Sequence, residues 1–178
     1  MHHLWRGLRL LLLAIVLACL LMLALAQPAL ASVHTYHERP GQTTYRSRQS
    51  LRDQTDLAWQ ATVFKRYTDG GFQGLYLRLV GFPGQATIDP KADLAIATGT
   101  TAQWQVHPQL DEQTQALPDN VAQYNITSVL ADLRGPIPLT LRVPLQGGST
   151  ARLVAAPYVV EEWLQVYTMA EHQRPGDI

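Results

Sequence analysis

Between residues 57 and 82 the sequence alternates at a period of two, and the alternation breaks once, at Thr68-Asp69-Gly70-Gly71. Side chains in a strand point to opposite faces in turn, so residues two apart share a face. Leu57, Trp59, Ala61 and Val63 fall on one face, and Ala58, Gln60, Thr62, Phe64 and Arg66 on the other. Asp-Gly and Gly-Gly reach the positive φ of a tight turn at little steric cost. Residues 72–82 then form the return strand, with Leu75, Leu77 and Leu79 on one face and Tyr76, Arg78 and Val80 on the other. The pattern predicts a β-hairpin, closed by the turn at Pro83-Gly84.

Short alternating stretches follow at residues 86–88, 94–98, 102–106 and 121–126, divided by turn residues such as Asp89-Pro90 and Gly99-Thr100. Residues 108–118 are polar and glutamine-rich and predict a surface loop. Thr127 or Ser128 is placed to cap a short helix over residues 128–133. Ile137, Leu139, Leu141, Val143 and Leu145 give a further strand, whose Pro138 and Pro144 predict an edge position, because each proline removes a ladder donor. Gly147-Gly148 turns into a strand at residues 151–155. The period then changes: Val159, Trp163, Val166 and Ala170 recur at helical spacing behind Pro157, predicting an amphipathic helix over about residues 158–172. The fold class is α+β, mainly β: an antiparallel sheet or a partly closed barrel with a C-terminal amphipathic helix.

The amino terminus sets the compartment. Arg6 and Arg9 precede a 17-residue apolar stretch over residues 10–26, then Gln27-Pro28 and Ala29-Leu30-Ala31. A positive head, an apolar middle and a small-x-small end make a secretory signal peptide, cleaved after Ala31. The domain division is therefore residues 1–31 as a cleaved leader and residues 32–178 as one mainly-β domain. Two other readings stay open. As a helix the apolar stretch spans about 25 Å, near the lower limit for a retained anchor, and Val16-Leu17-Ala18-Cys19 loosely fits a lipoprotein box. The expected home is the periplasm or the thylakoid lumen.

Composition removes several chemistries. Fourteen basic residues balance fourteen acidic ones, which argues against broad nucleic-acid binding. The single cysteine, Cys19, lies in the leader, so a disulfide framework, a thiolate metal site and a Cys–His catalyst are all excluded from the exported part. No serine sits in a Gly-x-Ser-x-Gly elbow, and no phosphate-cradling glycine loop is present. Glu161 and Glu162 point about 100° apart on a helix, which suits solvation better than shared acid–base work. The sequence names no catalytic residue and no cofactor.

Three groups of residues remain as candidate sites. Cleavage after Ala31 would free the Ser32 amine, which with two backbone amides and the His34 imidazole makes a square-planar set for Cu(II) or Ni(II). His37 and Glu38 stand nearby as weaker zinc ligands. Arg39, Arg46, Arg48 and Arg52 cluster early: residues 32–66 hold six basic and three acidic residues, and residues 67–178 hold six and eleven. Thr44, Arg46, Arg48 and Ser50 share one strand face, which suits docking on an acidic protein or an anionic lipid surface. Trp59, Tyr76, Trp104 and Trp163 are the aromatics expected to line a pocket for a lipophilic ligand.

The runs Ser32-Val33-His34-Thr35-Tyr36-His37-Glu38 and Tyr45-Arg46-Ser47-Arg48-Gln49-Ser50-Leu51-Arg52-Asp53-Gln54 resemble a family of small exported cyanobacterial proteins. So do Leu77-Arg78-Leu79-Val80-Gly81-Phe82-Pro83-Gly84 and residues 159–163. That family is a domain of unknown function. The resemblance implies a periplasmic or lumenal setting, with photosynthetic membrane complexes as partners, and carries over no catalytic residue. The expectation is a non-catalytic accessory or assembly-type factor docking at a membrane complex. The alternatives are a carrier of a small hydrophobic ligand and the copper or nickel site.

Overall fold

The hairpin forms as the alternation requires and sits at the centre of a five-stranded antiparallel sheet. In the computed structural model, which describes residues 33–69, 71–110 and 116–169, the chain runs through β1 (His34–Arg39), β2 (Gln42–Arg52), β3 (Ala58–Thr68), β4 (Gly71–Val80), β5 (Leu94–Thr98), β6 (Gln103–Val106) and β7 (Val121–Asn125). It continues through α1 (Thr127–Asp132), β8 (Leu139–Pro144), β9 (Thr150–Ala155) and α2 (Pro157–Thr168). The fold is α+β and mainly β, as expected: the strands form two antiparallel sheets, ordered β1-β2-β3-β4-β7 and β6-β5-β8-β9, and a helix closes the described chain. All these elements belong to one unit, Ser32–Ile178. The expected leader, Ser32 and Ala170 of the helical stripe lie outside the described residues, as does the middle of the loop at residues 108–118.

Register explains the division of faces. Ser47, Val63, Leu77 and Tyr124 stand in one cross-strand row, and Gln49, Ala61, Leu79 and Ala122 in the next. These rows face inward. On the second sheet Leu94, Ile96, Leu139, Leu141, Val143 and Leu153 are buried, and together they form one contiguous core. Burial of that apolar surface is the main stabilising term, at about 25 cal/mol per Å² removed from water. Two isolated bridges, Ile88 with Leu145 and Pro108 with Tyr124, tie the sheets' margins. The first is all that forms of the expected strand at residues 86–88.

β8 corrects the edge expectation. It lies between β5 and β9, inside its sheet. Pro138 precedes the strand and Pro144 is its last residue, so neither interrupts the ladder between them. The edges of that sheet are β6 and β9, and β9 is partly covered: the Gln54 side chain donates to the Thr150 carbonyl at 3.0 Å and accepts from the Arg152 N–H at 2.6 Å.

The helices also depart in detail. At α1 the cap position falls to Ile126, which has no capping side chain, rather than to Thr127 or Ser128; just before it, Asn125 Oδ1 accepts from the Thr127 N–H and hydroxyl at 3.1 and 2.7 Å. α2 opens on Pro157 and buries Val159, Val160, Trp163 and Val166, as the stripe predicts. It ends at Thr168, earlier than expected, where Met169 turns to ψ 125°, and Lys65 on β3 donates to the carbonyls of Tyr167 and Met169, both at 2.6 Å. A cation at this end satisfies the last carbonyls and complements the helix dipole. Glu162, expected in solvent, is only 2% exposed. The Ser47 hydroxyl donates to its Oε2 at 2.5 Å and the Gln49 amide to its Oε1 at 2.6 Å.

Candidate functional site

Among the described residues no helix covers the opposite face of the five-stranded sheet, which carries an unusual set of side chains. Arg46 lies in a row with Phe64 and Tyr76, Arg48 in a row with Thr62 and Arg78, and Thr44 in a row with Arg66. Alternation alone places these four arginines on one surface, since their inward neighbours are core residues. No acidic residue occupies a strand position on this face of β2, β3, β4 or β7. Among the described residues, Arg46 and Arg48 make no ion pair.

Three of the four guanidinium groups are held against aromatic rings. Arg46 lies 3.9 Å above the Tyr36 ring centre. Arg66 and Arg78 stand 5.2 and 5.3 Å from the Phe64 ring centre. Arg78 also donates through Nε and Nη2 to Gln123 Oε1, at 3.0 and 2.6 Å. Planar cations over aromatic faces gain about 0.5–1 kcal/mol at exposed sites and lose rotamer freedom before any partner arrives. The rings themselves are covered, with Phe64 4% and Tyr76 5% exposed. Two adjoining hollows result. One of about 260 Å³ is lined by Thr44, Gln60, Thr62 and the four arginines, among others. The other, of about 200 Å³, is lined by His34, Tyr36, Arg46 and Arg48.

Electrostatically this is a costly surface. Arg48 and Arg78 flank Thr62 across two strand spacings, about 10 Å. At that separation a pair of like charges repels by about 0.4 kcal/mol in water and about 1.7 kcal/mol at an effective dielectric of 20. An anion on the face relieves this repulsion for every pair at once.

The sequence-predicted residues divide. Arg46 and Arg48 belong to this face. Arg52 lies at the end of the same strand face but is engaged locally, donating to the Asp56 carbonyl at 2.8 Å and pairing with its carboxylate at 3.2 Å. The side chains of Arg39, His37 and Glu38 lie outside the described residues. Arg66 and Arg78, which join Arg46 and Arg48, were not singled out from sequence. The signal that finds them is the alternation of the hairpin, which sets both opposite the Leu75–Leu77–Leu79 face.

The expected aromatic pocket does not form. Trp59 is buried in the core, donating to Asp53 Oδ2 at 3.1 Å. Trp163 is buried in α2, and Trp104 on β6 donates to Asp132 Oδ2 at 2.9 Å. Tyr76 stands on the arginine face, folded over Gly74, whose φ is +144° and where a Cβ would come within 2.5 Å of the ring. A separate cleft of about 350 Å³ opens beside β7, lined by Ile88, Pro90, Pro108, Leu110 and Val121 among others. None of the four aromatics lines it.

His34 stacks on Tyr36 with ring centres 6.1 Å apart, while Ser32 lies outside the described residues. Among the described residues no three potential metal-binding side chains converge.

Two titratable groups are shifted by structure. Burial, reinforced by the charges of Asp89 and Asp93, pushes the Tyr124 hydroxyl well above its ordinary 10.0. Burial of Asp53 acts to raise its pKa, but hydrogen bonds from Thr55, Trp59 and Leu57 outweigh it and hold the carboxyl below the ordinary 3.8. Asp53 organises the β2–β3 connection, where Asp56 adopts a positive φ of 65°.

No curated protein sequence and no solved structure matches this chain. The family model described as protein of unknown function DUF3122 matches residues 31–166, most of the chain and all the strands. By that match the chain belongs to the DUF3122 family.

Proposed function

We propose that this protein is a non-catalytic, exported accessory factor that docks by its arginine face on an acidic surface of a membrane complex, in the periplasm or the thylakoid lumen. The observation that carries the reading is the acid-free face of β2, β3, β4 and β7, with four arginines on rigid strands and three of them held against aromatic rings. Electrostatic complementarity of this kind steers encounter and fixes orientation more than it adds raw affinity. The leader supports the compartment, and the family supplies no competing activity.

The test is co-fractionation of the untagged protein with a defined membrane complex, comparing wild type with R46Q/R48Q. The reading expects co-migration at low salt, loss at high salt, and loss in the variant. Migration of the wild type as an isolated protein at low salt would refute it. A second reading, a small-ligand carrier, is favoured only by the cleft beside β7. Native mass spectrometry showing a bound small molecule, displaced by a bulky residue in place of Val121, would support it.

A further inference from the structure

Resting on the docking reading, we propose a specific occupant for the arginine face: an extended acidic polypeptide segment lying across the strands from β1 to β4. The two hollows share Arg46 and Arg48, so they form one trough that crosses four strands. Three interstrand spacings make it about 14 Å long, the reach of about four extended residues. Its chemistry changes along that length rather than converging on one point. His34 and Tyr36 stand at the β1 end, Arg46 and Arg48 on β2, Thr62 and Arg66 on β3, and Arg78 on β4. Alternate side chains of an extended segment lie about 7 Å apart on one side, within reach of guanidiniums on neighbouring strands. A single phosphate would meet only part of such a row.

The trough also selects against other polyanions. Phe64 lies beneath two guanidiniums and Tyr76 is almost fully covered, so neither offers an open ring for a nucleic-acid base to stack on. Among the described residues no large exposed apolar side chain lines the trough to enter a lipid layer; Phe72, Phe82, Val154 and Tyr158, which are exposed, do not line it. What remains is a row of planar, pre-positioned forks, the geometry that pairs with carboxylates two bonds at a time. The Thr62 hydroxyl, without a hydrogen-bond partner among the described residues, adds a neutral donor at the centre.

The experiment measures binding of the protein, as recovered from expressing cells, to a six-residue peptide alternating glutamate and alanine. The same peptide with glutamine is the blank. Parallel arms use inorganic phosphate as competitor and phosphatidylglycerol vesicles, each read as the difference between wild type and R46Q/R48Q so that other membrane-seeking segments cancel. Expected are salt-sensitive binding of the acidic peptide only, a weakening of about tenfold or more in R46Q/R48Q, and a smaller loss in R46K/R48K, which keeps charge but not the fork. R142Q/R152Q, on the second sheet, should leave binding unchanged. No peptide binding, equal binding by R46Q/R48Q, or full displacement by phosphate at equal concentration overturns the proposal. If vesicle binding alone depends on the arginines, the docking face stands and its occupant is lipid. If neither arm depends on them, the docking reading falls as well.

Discussion

Removing the Ser47 hydroxyl should cost more than neutralising the acid it holds. Glu162 is carried by α2 into the core, where among the described residues its two oxygens accept from Ser47 at 2.5 Å and Gln49 at 2.6 Å. Ser47→Ala deletes one donor and leaves almost no new space, so an acceptor 2% exposed is stranded rather than rehydrated. A buried polar atom left without its partner costs about 1–3 kcal/mol. Glu162→Gln behaves differently, because the Ser47 hydroxyl can rotate to accept from the new amide while Gln49 still donates to the remaining oxygen. Its expected cost is under about 1 kcal/mol, the scale of a retained neutral hydrogen bond. Urea unfolding followed by tryptophan fluorescence reads the difference. With a denaturant slope of about 2 kcal/mol per M, Ser47→Ala should lower the midpoint by about 0.5–1.5 M. If Ser47→Ala moves the midpoint by less than about 0.2 M, or Glu162→Gln is the worse of the two, the argument from an unsatisfied acceptor is wrong.

Other outcomes follow from the same geometry. Tyr124→Phe should stabilise the protein by about 1 kcal/mol at neutral pH, because the hydroxyl is buried with no partner among the described residues. Its raised pKa means that the unfolded chain ionises first, so wild-type stability is intact below pH 10.0 and falls above it, and thermal melts should show that alkaline loss reduced in the variant. For Asp53, whose pKa is depressed, the contribution is present above pH 3.8 and lost as pH falls below it. Asp53→Asn should therefore flatten the acid limb of the melting curve. Gly81→Ala places a Cβ 2.6 Å from Ala86 Cβ and 3.0 Å from the Trp59 ring, and should cost about 1–3 kcal/mol by calorimetry, partly recovered by Ala86→Gly.

Much of this fold is legible from alternation and helical spacing, because both report which side of a strand or helix is dry. The β3–β4 hairpin and β5 are placed by period two, and α2 by Pro157 and the Val159–Trp163–Val166 stripe. Sheet membership is not legible in that way. β7 joins β4 across more than forty residues, and nothing local in Val121–Asn125 names its neighbour. Pro144 misleads for a similar reason: a proline at a strand's last position looks, in sequence, like one that breaks it. Half of the arginine face was legible, on β2. The other half, Arg66 and Arg78, is marked by the hairpin's alternation, but the register that sets Arg78 beside Thr62 comes only with the folded hairpin. Glu162 could not be read at all, since a buried acid and a solvated one have the same helical phase until the facing strand is known.

The hold of Gln54 on the rim of β9 reaches beyond the monomer. Its amide imitates one residue of an incoming strand, occupying the Thr150 carbonyl and the Arg152 N–H that another molecule would need for the first rung of a shared ladder. Any chain seeking to extend this sheet at β9 must first evict a side chain anchored in the β2–β3 connection. Resistance to self-association at this rim is thus vested in the small loop around Asp53, which belongs to the other sheet.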